Sequence, residues 1–474
     1  MRLSIPLAGL LAASLAAGAR TAEALTHEVG PGKTYANVGD VPWESLNAGD
    51  TVLIYYRAAP YKEKFVLSRV GTPSAPITVR GVSGPLGERP VLDGNGATTR
   101  PQLDYYSRSR GVIKIGGSTV PFADGLTVMP QWIVIENLEI RSARPPYTFT
   151  GPSGAVESYP NNASTIYLEF GENITVRNCV LRDSGNGFFA FSSDTIATRN
   201  LLVEGNYIYD NGNTGSNFEH NVYTEALGIT FQYNHLGPLR AGASGNNLKD
   251  RSAGLVVRYN WIEGGNRQLD LVHAEDSQVL RNDPSYRSAF VYGNVVIEHP
   301  NSGNNDVVLY GGDGGSANKF RKGTLHFYNN TVVSDRTDRT RLFRLSTNDE
   351  ALDARNNIAY VTASGDNLVV LDNTGRLTLT QNWFKTGWTR SSVNKPKGTI
   401  TDNGTVTGSS PGFVSEAGQD YHLASGSAAV DSGASLHAAV LPTHDVVREY
   451  VKHQTSTART VSGSLDIGAY EFHP

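Results

Sequence analysis

Nine times the chain repeats one phrase, an asparagine leading into a short apolar run: IENLEI, VRNCVL, EGNYIY, QYNHLG, RYNWIE, YGNVVI, YNNTVV, RNNIAY and TQNWFK. The asparagines are Asn137, Asn178, Asn206, Asn234, Asn260, Asn294, Asn330, Asn356 and Asn382, spaced 26 to 41 residues apart. Self-similarity at that period marks a solenoid, because a single unit cannot bury its apolar face and must stack on the next. Each unit holds two or three short alternating runs, such as STIYLEF and then NITVRNCVLRD, separated by Gly, Asn, Asp and Ser. Alternation of period two is the strand signal, and helical periodicity is nearly absent. The expectation is an all-β chain, a right-handed parallel β-helix in which each coil adds one strand to each of several parallel sheets. Stacked asparagine side chains in the turns can then hydrogen-bond from coil to coil.

Composition agrees with this architecture. With 50 Gly and 22 Pro but only 18% charged residues in 474, the chain favours many turns over long helices. Formal net charge is -4 with no basic block, which argues against a nucleic-acid partner. The lone cysteine, Cys179, cannot form an internal disulfide and lies in an alternating run, so it reads as a buried filler. In the opening MRLSIPLAGLLAASLAAGARTAEA a lone Arg2 precedes an apolar run too short to span a bilayer, and small residues stand at Ala22 and Ala24. These features predict a secretory signal over residues 1–24, a secreted or periplasmic protein, and no membrane association once the signal is removed. The β-helix with an N-terminal cap is expected over 25–405, an irregular segment closing the last coil over 406–474, and a monomer.

The phrases HEVGPGKTYANV, LNAGDTVLI and SAPITVRGV near the start resemble secreted bacterial β-helix proteins of the polysaccharide-lyase type. DPSYRSAFVYGNVVI, GTLHFYNNTVV and the ending SPGFVSEAGQDYHLASGSAAVDSG…LDIGAYEF continue the resemblance over most of the remaining chain. It implies the β-helix fold and an anionic polysaccharide as partner.

Two consecutive coils, marked by Asn234 and Asn260, align without insertion. Eleven residues before each asparagine stand Tyr223 and Lys249, and nine before stand Glu225 and Arg251. Neighbouring strands lie about 4.8 Å apart, and residues two apart share a face. Val222 and Leu248 are therefore expected inside, with Tyr223 beside Lys249 and Glu225 beside Arg251 on an open outer wall. One coil on, QLDLVHAED places Leu269 and Leu271 inward, Asp270 near Lys249, and His273 at the strand end. His220 lies just ahead of Tyr223.

Either Glu225 and Asp270 neutralise the two cations as a surface charge ladder, or an acidic ligand does. The second reading suits β-elimination on a uronate, which needs a cation on the sugar carboxylate, a base for the C5 proton and an acid for the leaving oxygen. The stretch DRSAGLVVRYN is similar to alginate- and chondroitin-type β-helix lyases, in which an Asn-Lys-Ser phrase precedes Arg-Tyr-Asn and its lysine is the base. Here Arg251 occupies that lysine's place and Lys249 lies two residues earlier. Val272 stands where the family has an arginine, while His273 is kept. HNVY followed by NLK-R also resembles bacterial β-helix proteins grouped with polysaccharide-degrading enzymes. The family's pair is thus not carried over intact. Either Lys249 and Arg251 share the work, with Lys249 or Tyr223 able to serve as base, His220 or Tyr223 as proton donor and Glu225, Asp270 and His273 contacting substrate, or the activity differs. A β-helix glycoside hydrolase using Glu225 and Asp270 stays open, as does a non-catalytic glycan-binding protein.

YGGDGGSANKF lacks the Gly-Lys-Ser/Thr of a phosphate loop and reads as a turn. Asp306 and Asp313 could offer oxygens to Ca2+, but no calcium-repeat spacing supports it, and they read as solvated turn acids. The histidines lack paired metal-ligand spacing, so no metal ligand is predicted and no cofactor is evident.

Overall fold

The computed structural model describes residues 23–103, 105–116, 128–300 and 303–474. Most of the expected signal segment, residues 1–22, lies outside the described residues. Among the described residues, three long parallel sheets of 13, 11 and 11 strands run the length of the chain. Each coil visits the first, third and second sheet in turn, so strands from successive coils stack in register. The fold is a right-handed parallel β-helix, all-β as the periodicity predicts.

Alternation builds the core. In the first sheet Ile174, Leu201, Ile229, Leu255, Ala289, Leu325, Leu352 and Leu377 stand in one register column, one per coil. All are buried and belong to one continuous apolar cluster. A parallel sheet buried on its inner face needs such a column, since any polar member would lose its water without gaining a partner. Trp43, fully buried and stacked on Phe65 at 3.9 Å, closes the core near its N-terminal end.

The asparagine ladder joins the first and third sheets. Asn234 donates from its backbone N and from Nδ2 to Asn260 Oδ1, both at 2.9 Å, and Asn260 repeats this toward Asn294. Each side chain thereby satisfies turn groups that the sheets cannot reach. Three expected members are displaced by one residue. The ladder positions are filled by Leu138, Cys179 and Asn357, whereas Asn137, Asn178 and Asn356 precede them with φ of 56°, 51° and 53°. Other coils place Tyr233, Tyr259, Gly205 or Gly293 there, also at positive φ. Asparagine tolerates this left-handed geometry, which is why sequence phrasing alone confused the two positions. Cys179 takes a ladder place, donating its backbone N to Asn206 Oδ1 at 2.9 Å, and burial pushes its thiol up to about 12.

Residues 409–474 do not stop at the last coil, as expected, but run back along the outside. Tyr421, Tyr450, Ile467 and Tyr470 pack on Trp261, Val295 and Trp383 of the third sheet. Gln454 reaches as far as the carbonyl of Gly205, at 2.8 Å. The reason is the exposed side of that sheet, which carries large apolar residues that need cover. Among the described residues no helix is long and apolar enough to cross a membrane.

Candidate active site

The outer face of the second sheet brings one row of side chains together: Tyr167, Phe189, Tyr223, Lys249, Asp270 and Leu309, on adjacent strands in register. Val222, Leu248, Leu269 and Leu271 point the other way, into the core. The pairings Tyr223 with Lys249 and Lys249 with Asp270 are those that the two-coil alignment gives.

The row divides into an aromatic half and an ionic half. Phe189 lies edge-on to Tyr223, with centroids 5.4 Å apart, and 5.3 Å from Tyr167. The Arg110 guanidinium sits over the Tyr167 and Phe189 rings at 4.7 and 5.1 Å. These residues line an open groove of about 730 Å³, together with Phe218, Glu219 and Asp276. Phe218 is 75% exposed, and one buried carboxylate oxygen of Glu219 has no hydrogen-bond partner among the described residues.

In the ionic half, Lys249 donates to Asp270 at 3.0 Å and also pairs with Asp313. Arg251 donates from Nε to the Tyr223 hydroxyl oxygen at 3.1 Å, from Nη1 to the His273 carbonyl at 2.5 Å, and from Nη2 to Asp313 at 3.3 and 3.4 Å. His273 Nδ1 lies 3.6 Å from the same Asp313 carboxylate, and its Nε2 is 2.5 Å from Glu275. Three basic side chains therefore converge on one carboxylate. Burial works against that charge, yet Lys249 and Arg251 hold the Asp313 carboxyl down at about 2.

Several expectations need correction. Lys249 and Arg251 stand on the outer wall, but they are only 8% and 6% exposed rather than open to solvent. The turn carrying Asp313 folds over them, and two glycines make that turn possible. A Cβ at Gly312 would meet the Phe320 ring at 2.1 Å, and Gly311 has φ of 127° with the Ser346 side chain 2.8 Å from a built Cβ. Asp313 is thus no free turn acid, although its side chain keeps 23% exposure. Asp306 is not one either: it is buried in the strand Asp306–Tyr310 and paired with Arg341, Arg267 and Arg344.

Glu225 was expected beside Arg251 on the open wall. It is instead buried, accepting from the Asp276 backbone N at 3.3 Å, and burial with the Asp276 charge pushes its carboxyl up to about 8. Asp270, expected at the substrate, is fully buried and accepts from Asn246, Lys249 and Arg267. His220 is buried too. Its Nδ1 accepts from the Asn246 backbone N at 2.9 Å, and burial, with Lys249 and Arg251 nearby, holds its pKa well below the usual value. The ring is neutral and carries its proton on Nε2. His273, equally buried, is tied between Glu275 and Asp313.

Sequence reasoning missed Asp313, Arg110 and the aromatic floor. Tyr167 and Phe189 were within reach, since STIYLEF and GNGFFAFS alternate in the same sense as the strand of Tyr223. Asp313 was not, because it arrives from a coil lengthened by a loop.

No family model matches the chain, and no curated protein does. Among solved structures it is similar to pectate lyase Pel9A, with TM-score 0.50 and 12% identity over 95% of this chain and 96% of that one. It is also similar to the GH136 lacto-N-biosidase of Eubacterium ramulus, with TM-score 0.50 and 12% identity over 81% of this chain and 67% of that one. At these identities the likeness is one of architecture, the parallel β-helix itself.

Proposed function

We propose that the protein is an exported polysaccharide lyase that cleaves a uronate-containing glycan by β-elimination. The observation that carries this reading is the meeting of the two halves at Tyr223. An aromatic floor suited to sugar rings ends at a hydroxyl whose oxygen already accepts from Arg251. The guanidinium stands ready against negative charge on that oxygen.

The ionic half supplies the remaining requirement. Lys249, Arg251 and His273 already form a carboxylate-binding site, with Asp313 as its occupant. A sugar carboxylate drawn into that position would have its enolate-like charge stabilised as the C5 proton leaves. Lys249 faces two carboxylates and acts as a fixed cation rather than a base. In this reading Tyr223 first gives its own proton to water while Arg251 holds the phenolate. It then takes the C5 proton and passes it to the leaving oxygen, so that the C4–O bond breaks as the C4–C5 double bond forms. The glycine-rich turn lets Asp313 yield to substrate. Pectate lyase Pel9A, on the same architecture, is consistent with a lyase.

A second reading rests on Glu225. A carboxyl pushed up to about 8 is protonated at neutral pH and suits the general acid of a glycoside hydrolase. A panel of uronans and neutral glycans separates the readings. A lyase product absorbs in the ultraviolet through its new C4–C5 double bond. A hydrolase creates reducing ends without that absorbance, and a binding protein retains glycan while producing neither.

A further inference from the structure

The outer face of the first sheet holds a second cluster, built from parts far apart in sequence. His326 and Asp353 are register partners on adjacent strands, Thr324–Tyr328 and Ala351–Arg355. Their neighbours Leu325, Phe327, Leu352 and Ala354 point into the core, so both side chains face outward. Over them passes the stretch 434–447 of the closing segment, fixed by hydrogen bonds at both ends. Asn356 exchanges two 2.8 Å bonds with Ala434, Arg355 donates to the Ser435 carbonyl at 2.8 Å, and Tyr328 donates to the His444 carbonyl at 2.6 Å. This strap brings His437 over the pair.

One ligand atom each from His326, Asp353 and His437 lies within 4.8 Å of the others. A second observation points to a ligand. His326 is only 6% exposed, and its Nδ1 is buried with no hydrogen-bond partner among the described residues. A buried acceptor or donor without a partner is an uncompensated loss of hydration, and native structures rarely keep one without a use.

We propose that His326, Asp353 and His437 form a binding site for a zinc-class divalent metal ion, which clasps the closing segment to the first sheet. Two imidazoles and one carboxylate are a nitrogen-rich donor set, suited to Zn2+, Co2+ or Ni2+. Ca2+ and Mg2+ demand more oxygen ligands than the cluster offers. Tetrahedral zinc needs donors about 3.3 Å apart, given bonds near 2.0–2.1 Å, so the site must contract on loading. The exposed His437 supplies that movement. Its Nδ1 accepts from the Ala439 backbone N at 3.1 Å, a bond that ligation through either nitrogen exchanges for the metal. Arg355 Nη2 sits 3.3 and 3.5 Å from the two Asp353 oxygens, able to hold one while the other binds the ion. His437 faces solvent, which leaves the fourth position to water.

The test uses the full-length protein, stripped with chelator and desalted, then titrated with Zn2+ by calorimetry and with Co2+ by visible absorption. The expected result is a single tight site, tetrahedral Co2+ bands and a higher melting temperature. His437→Ala removes an exposed ligand at the cost of its hydrogen bond from Ala439 and its ring contact with His326. It should weaken Zn2+ binding by about 100-fold or more, beyond the cost of losing an outer-shell partner, and abolish the melting shift. Asp353→Asn should weaken binding in the same way. The proposal is overturned if Co2+ gives no bands and Zn2+ no melting shift. It is equally overturned if binding persists unchanged in both variants, since the ion would then sit elsewhere.

Discussion

Arg251 spends its guanidinium on three different acceptors: a phenol oxygen, a backbone carbonyl and a carboxylate. No other side chain matches that fork, so Arg251→Lys should lose the Tyr223 contact as surely as Arg251→Ala does. An exposed cation could be removed at little cost to folding. This one is nearly buried, and losing one partner of such a network destabilises by roughly 3–5 kcal/mol. Denaturant unfolding of Arg251→Ala should show that loss, and an unchanged midpoint would mean the network contributes nothing. Tyr223→Phe is the cleaner probe of chemistry. It should lower kcat about 10²–10⁴-fold on a uronan substrate while leaving Arg251 Nε unpaired, at about 1–3 kcal/mol of stability, less than Arg251→Ala costs. Glu225 gives a pH signature. Its carboxyl titrates at about 8 in the folded chain against 4.5 when free, and Glu298 behaves alike. Between those values the folded state holds the extra protons, so stability falls as pH rises. His444 and His453, lowered from 6.5 to about 4 chiefly by partial desolvation, bind their extra protons in the unfolded state and act in the opposite sense below 6.5. The window free of these opposing histidines therefore runs from about 6.5 to 8, where His299, raised by its hydrogen bond with Glu263, acts in the same sense as the two carboxyls. There the melting temperature should decline with rising pH, and Glu225→Gln should lessen the decline, Glu298 and His299 supplying the rest.

Within one coil, legibility in the sequence followed loop length. Tyr223, Lys249 and Asp270 could be placed on one wall because short alternating runs carry their register from coil to coil. Burial could not be read, because it depends on the turn at 311–320, and nothing local to Lys249 announces that turn. Asp306 shows the same limit: it looks like a loop acid in SGNNDVV but is the first residue of a strand, met by arginines from other coils. The ladder was legible as a repeat but not to the residue, since the left-handed position before it also favours asparagine. That distinction has an energetic consequence. Asn260→Ala removes a buried side chain that bridges two coils, leaving the Asn234 backbone N unpaired and its amide with the Val203 carbonyl alone, at about 1–3 kcal/mol per orphaned group. Asn178→Ala, in the partly solvated left-handed position, should cost less. Paired urea titrations check the order, and equal losses would refute the assignment of ladder positions. The turn itself is testable through Asp313→Asn. If Asp313 occupies the place of a sugar carboxylate, weakening its hold should lower the KM for a uronan even as stability falls. A raised KM would instead make Asp313 part of the binding surface.

At the scale of the whole molecule, a solenoid is a sum of neighbouring contacts, so its parts can open separately. The closing segment is the exception to that one-dimensional rule, because it touches coils from Gly205 to Trp383. It lies along the β-helix as a strap and shields Trp261, Val295 and Trp383 from water. From sequence this segment looked like an end cap, since its apolar residues carry no period that names their partners. Tyr450→Ala tests which role governs stability. Tyr450 is 1% exposed within the apolar cluster under the strap, and truncating a buried aromatic ring costs about 3–5 kcal/mol. If strap and coils unfold as one unit, hydrogen exchange should rise together in the strap and in first-sheet strands such as Ala253–Arg258. If the strap is a separate cooperative unit, protection should fall only over 409–474 while Ala253–Arg258 keeps its own. The contact pattern favours the second outcome, since the inward columns Leu255 and Leu325 complete their core without any residue of the strap. Uniform loss of protection would show that lateral cover, and not stacking alone, holds the coils together.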